Sequence, residues 1–224
     1  MAKKALIVWG GWDGHQPKEV AGIFDRELKK LGFETEVSAT LDAFNDKAKL
    51  KALDLIVPIW TMGKITGEQC NNVCEAVRNG VGIGGVHGGM CDAFREATEW
   101  QFMTGGQWVA HPGNDGLRYK VRITAKHFIT DGVPVEIDIA SEQYYMHTDP
   151  SNKVLASTTF PVADGPHAPN GVFEMPVTWI RYYGKGRVFY CSLGHQANVI
   201  EQAPVLRMCV RGVLWAGNAE SLAS

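Results

Sequence analysis

The 224-residue sequence has no apolar run long enough to cross a bilayer, no block of like charges, and no even set of cysteines that would pair off. Each absence excludes a class of protein. The N-terminal apolar run, residues 5–9 behind Lys3 and Lys4, is too short for a signal peptide's hydrophobic region or a membrane span, so a cytoplasmic location is expected, with no membrane partner. Lys and Arg total 22 against 24 Asp and Glu, a formal net charge of −2, which argues against nucleic acid as a partner. The five cysteines, Cys70, Cys74, Cys91, Cys191 and Cys209, read as reduced thiols rather than a disulfide framework. Cys70 and Cys74 share a helix face at i, i+4, but no second pair stands near them, so packing explains them better than zinc. Internal repeats and linkers are also missing.

What is present suits one folded unit over residues 1–224: 45% of the residues are hydrophobic and 10% aromatic, enough to bury a large core. Apolar runs at 5–9, 34–37, 55–57 and 81–86 alternate with helical patterns at 17–31 and 66–78, the second opened by Thr66 as N-cap. Such alternation predicts right-handed βαβ crossovers and a parallel sheet covered on both faces. Past Gly106 the strand-like segments 119–124, 135–139, 154–158 and 177–182 follow one another without helices, which predicts an antiparallel extension. A buried strand at 187–192 and a final helix at 203–215, with Leu206, Val210, Val213 and Leu214 on one stripe, complete the α/β reading. The irregular stretch 163–171 is expected to rim a site.

In such sheets ligands bind outside the carboxyl ends of the strands, so the residues that directly follow each strand carry the functional information. The first strand leads into Gly10-Gly11-Trp12-Asp13-Gly14-His15, which lacks the spacing of a dinucleotide or phosphate loop. Either it is a tight turn, or it puts Trp12 and His15 in a pocket. The fourth strand runs into His87-Gly88-Gly89, a strand–turn–helix elbow that exposes one side chain, here a base or metal ligand rather than an acyl nucleophile. In the polar segment 141–149, strand alternation puts Glu142 and His147 on opposite faces, and Glu142 is the better inward candidate. His195 follows the 187–192 strand beside Gly194. His111, in a Pro/Gly turn, is a further candidate, and His127 and His167 are expected at the surface or in loops.

Gly85-Val86-His87-Gly88-Gly89, Gly105-Gly106 with His111-Pro112, Ser141-Glu142-Gln143-Tyr144, residues 186–190 through Gly194-His195, and Arg211 to Ala216, in this order, resemble the ThuA-like (trehalose utilisation) family. The resemblance spans most of the chain. It implies a class I glutamine-amidotransferase-like fold with a flavodoxin-like, mostly parallel sheet, and a role in the use of trehalose, related disaccharides or keto-sugars. It also marks a departure: true amidotransferases carry cysteine where this chain has His87, and Gln196 and Ala197 follow His195 in place of Pro-Glu, so no glutaminase is expected.

The expected site is therefore His87, His195 and Glu142, with Trp12, His15, Trp60 and His147 at its rim, acting on a small-molecule sugar. The three central residues suit either proton transfer or a divalent metal such as zinc with an open position. A non-catalytic sugar-binding or regulatory module is the rival reading, and hydrolysis through Cys91 a third. Nothing in the composition opposes a homo-oligomer.

Overall fold

The computed structural model describes residues 2–223. In chain order its strands and helices are β1 (Lys4–Gly11), α1 (Pro17–Lys30), β2 (Glu34–Ser38), α2 (Lys47–Lys51), β3 (Leu55–Thr61), α3 (Gly67–Arg78), β4 (Gly82–Val86), α4 (Gly88–Cys91), α5 (Thr98–Thr104) and β5 (Gly106–Ala110). Then come β6 (Leu117–Ile123), β7 (Glu136–Ser141), β8 (Tyr145–Thr148), β9 (Lys153–Phe160), β10 (Phe173–Tyr183), β11 (Gly186–Cys191), α6 (Ala197–Ile200) and α7 (Ala203–Ala216).

Local chemistry accounts for the boundaries. Pro17 opens α1, where a fixed φ and a missing N–H cost nothing. Thr66 caps α3 reciprocally: the Gln69 amide donates to Thr66 Oγ1, and the Thr66 amide donates to Gln69 Oε1, each at 3.1 Å.

Nine strands form one sheet in the order β2-β1-β3-β4-β11-β10-β9-β6-β7, while β5 and β8 pair separately. From β2 to β11 neighbouring strands are parallel, the flavodoxin-like order, and from β11 to β7 they are antiparallel. The α/β fold with its antiparallel extension is as the sequence predicts. Alternation splits β1 between two cores: Ile7 belongs to the one that holds Phe24 of α1 and Met208 of α7, whereas Leu6 and Val8 belong to the one that holds Val73 of α3 and Trp100 of α5.

The stripe on α7 differs from the expectation. Val213 and Leu214 are buried, but Leu206 and Val210 only partly so, and the helix rests instead on Val205, Met208, Cys209 and Gly212. A Cβ at position 212 would stand 2.2 Å from the Phe189 ring, so the absent side chain lets α7 close onto β11 along that line. No described helix is long and apolar enough to cross a membrane.

Candidate metal centre

The carboxyl ends of β1, β3, β4, β7 and β11 meet at one point. His15 closes the short turn after β1, Thr61 ends β3, His87 follows β4, Glu142 follows β7, and His195 comes four residues after β11. The first and last of these segments are tied together where the Ala197 amide donates to Gln16 Oε1 at 3.0 Å.

His87 sits on a strained elbow at φ 49°, a region that non-glycine residues rarely enter outside functional sites. Gly88 makes the elbow possible, since a Cβ there would stand 2.6 Å from His15 Cε1 and 2.8 Å from Thr61 Oγ1. The His87 ring stacks on Tyr144 at 3.9 Å between centroids, and Tyr190 donates its hydroxyl to the His87 carbonyl at 2.9 Å. Tyr119 similarly donates to the Glu142 carbonyl at 2.8 Å. These buried contacts fix both residues in place.

Glu142 is the focus of the site. Its Oε2 lies 3.2 Å from His87 Nε2, 3.3 Å from His195 Nδ1 and 3.9 Å from His15 Nε2, while His111 Nδ1 is 3.2 Å from Oε1. His15, His87, Glu142 and His195 are all buried, and each offers one ligand atom within 4.8 Å of the others, a span that suits ligation of a single ion.

The tautomer of His87 is dictated by its other nitrogen. Nδ1 stands 2.7 Å from the Ser192 carbonyl, which only accepts, so Nδ1 carries the proton and donates. In the neutral ring Nε2 is then an acceptor, and it faces the acceptor Oε2 of Glu142. Burial favours that neutral ring by pushing the His87 pKa down, against the pull of Glu142. Two acceptors at 3.2 Å are reconciled either by a second ring proton on Nε2 or by a metal ion.

The remaining groups divide sharply. Burial, reinforced by His87 and His195, lowers the pKa of His15 to about 2. Burial opposes ionisation of Glu142, but its close contacts with His195 and His87 outweigh it and hold the carboxyl well below its usual range. For His195 burial is again the largest effect and lowers the pKa, yet the Glu142 carboxylate outweighs it and the net shift is upward. The site thus combines an ionised carboxylate, two imidazoles held neutral and one that binds a proton readily.

The profile of the ThuA family, described as trehalose utilisation, matches residues 4–216. The chain belongs to the ThuA family. That membership supports a carbohydrate-related role. A ThuA-like protein of Parabacteroides merdae superimposes with a TM-score of 0.77 at 18% identity, covering 97% of this chain and 90% of that one. A second, from Bacteroides uniformis, gives 0.76 at 18% identity, covering 96% and 91%. The fold also recurs within a β-galactosidase of Bacillus circulans, with a TM-score of 0.63 at 12% identity over 98% of this chain but 31% of that one. Curated proteins yield no sequence match.

Of the residues expected from sequence, this ThuA-family fold brings His87, His195 and Glu142 together. Trp12 stands at the rim, 46% exposed, with its ring 4.7 Å from that of His15. His15 itself is not at the rim but inside the cluster. Trp60 and His147 do not join it. Trp60 alternates with Thr61 on β3 and covers Gly10 and Gly63 on the opposite face of the sheet, while His147 alternates with buried Met146 on β8 and is exposed. His167, expected at the surface or in a loop, lies in the 163–171 loop but is buried. His111, the further candidate in the Pro/Gly turn, touches Glu142, and Thr61, Tyr144 and Ser192 entered through partners that no single-segment pattern reveals. Cys91 lies in the core beside Trp100, and burial pushes its thiol pKa up.

Proposed function

We propose that this ThuA-family protein is an enzyme that transforms a small sugar, a disaccharide or keto-sugar, at a centre where His87, His195 and Glu142 hold a divalent ion of the zinc class. His15, the most distant donor, is a fourth ligand that a substrate oxygen can replace. The observation that carries this reading is the lone pair of His87 Nε2, fixed by the Ser192 carbonyl and aimed at the Glu142 carboxylate 3.2 Å away. Donor spacing supports it as well: tetrahedral zinc with bonds of about 2.0–2.1 Å has ligand edges of about 3.3–3.4 Å. The edges from Oε2 to His87 and His195 are 3.2 and 3.3 Å.

A bound ion of this kind polarises a sugar carbonyl or hydroxyl oxygen. The chain's own residues supply the rest. Ser192 and Tyr144 hold His87 in its ligating tautomer and orientation, as outer contacts commonly do at metal sites. Trp12 offers an aromatic face at the mouth, suited to the C–H face of a sugar. Glutaminase chemistry is disfavoured, because the elbow presents His87 and Cys91, the thiol four residues on, is buried.

Elemental analysis of the purified protein, paired with turnover of trehalose and its oxidised keto form, tests the reading. A stoichiometric divalent ion that disappears in His87→Ala and His195→Ala together with turnover is the expected result. Metal-free protein that retains full turnover would replace the metal with acid–base catalysis by the same residues. Sugar binding without turnover in any form would favour a binding module.

A further inference from the structure

A cleft of about 520 Å³ lies beside the centre, between the segment that follows β5 and the 163–171 loop, with Trp108, His111, Pro112, Tyr145, Pro166 and His167 in its walls. Its size falls in the range of about 300–1,000 Å³ typical of small-molecule sites. His111 belongs to both places, since it lines this cleft and reaches Glu142 at 3.2 Å.

His167 is the anomaly in the cleft. It is 8% exposed, and neither ring nitrogen has a hydrogen-bond partner. Tyr145 and Phe160 meet it edge-on, with centroids 5.9 and 5.7 Å away, and neither contact satisfies a ring nitrogen. Trp108 Nε1, a donor, is unpartnered too. Buried polar groups are nearly always paired, so a donor–acceptor imidazole and an indole N–H left enclosed and unpaired in one wall point to a ligand that completes them.

The complement of this wall is a compact body with an apolar face for the Trp108 and Tyr145 rings, a hydroxyl that both donates and accepts, and a further acceptor oxygen. A pyranose ring has all three. A phosphate or carboxylate would meet Asp164 in the wall, and no lysine or arginine lines the cleft among the described residues. We infer that the cleft is the subsite for the second ring of a disaccharide, with His167 as its binding residue, while the first ring lies over the His87–Glu142–His195 centre. This assignment rests on the sugar-transforming reading above. Because both His167 nitrogens are enclosed, binding requires the 163–171 loop, which carries that residue, to yield as the ring enters.

Isothermal titration of the protein as purified, with trehalose and with methyl α-D-glucopyranoside as a single-ring control, tests the assignment. His167→Phe keeps the ring packing and removes both nitrogens. It should weaken trehalose binding about tenfold or more while the single-ring glucoside changes less than about twofold. Unchanged trehalose affinity, or equal losses for both sugars, would overturn the subsite and leave the sugar reading standing. Absence of binding by either sugar to the unsubstituted protein would overturn both. If His167→Phe does not fold, nitrogen-15 histidine spectra of the unsubstituted protein decide: a shift of the His167 ring resonances on adding trehalose supports the subsite, and unmoved resonances refute it.

Discussion

Replacing Glu142 by Gln keeps the size of the side chain and one oxygen but removes the charge on which the imidazoles converge. Oε2 is the common neighbour of His87, His195 and His15 at 3.2, 3.3 and 3.9 Å, so the change acts on the whole donor set at once. Zinc at a hundred times its dissociation constant should stabilise the unsubstituted protein by about 2.7 kcal/mol. For a chain of this size that corresponds to a rise of about 5–11 °C in Tm, at about 2–4 °C per kcal/mol. Loss of even an outer contact at a metal site typically costs about 10–100-fold in affinity, and Glu142 is placed as a direct donor, so Glu142→Gln should abolish most of that rise at the same zinc concentration. In chelator the two proteins should melt much closer together, because His195 sheds its proton once the carboxylate is gone. Differential scanning calorimetry with and without zinc provides the comparison. A full zinc shift in Glu142→Gln, or none in the unsubstituted protein, would refute the assignment of this carboxylate as a ligand.

Acid should weaken the chelator-treated protein in a particular direction. The unfolded chain protonates His15 near its ordinary 6.5, whereas the native ring resists protonation down to about 2, so stability falls as pH drops through that window. Glu142, with a lowered pKa, acts in the same sense, and the contribution of His195, whose pKa is raised, is instead lost as pH rises above its folded value. His15→Gln should therefore move the acid-unfolding midpoint, followed by circular dichroism, to lower pH. Gly88→Ala should disrupt the elbow by driving a methyl group into the His15 ring and Thr61, costing about 1–3 kcal/mol in urea unfolding and abolishing zinc binding. Cys91→Ala should leave turnover intact and cost about 1–2 kcal/mol from the vacated core space, and thiol alkylation of the native protein should not inhibit. Thr66→Ala removes the reciprocal cap of α3 and should cost about 1 kcal/mol without touching zinc affinity.

The fold was legible because its signals are local. Continuous apolar runs at β1, β3, β4 and β11 announce strands covered on both faces, and Thr66 announces the start of α3 through a residue three positions away. The α7 stripe was misjudged for a complementary reason. Helical periodicity identifies an apolar face but not the line along which a partner approaches, and that line is set by a missing side chain, Gly212, opposite Phe189.

The centre is only half legible for a physical reason of the same kind. Strand-end position picks out His87 and His195, each a property of one segment, whereas Glu142 follows β7 and His147 sits on β8, so the alternation expected along 141–149 is broken between them. Membership of His15 depends instead on Thr61, 46 residues away, and on the tie between its neighbour Gln16 and Ala197, 181 residues apart, which joins the first loop to the last. The same Gly10-to-His15 turn could hold its histidine outward with no change in local sequence. What turns it inward is the space above Gly88, at the start of α4, and a histidine there has room only while residue 88 lacks a Cβ. The elbow glycine thus does two things at once: it lets His87 adopt its strained backbone and it leaves the volume that His15 fills. This is why Gly88→Ala should remove zinc binding more completely than His15→Gln, although Gly88 itself offers no ligand atom.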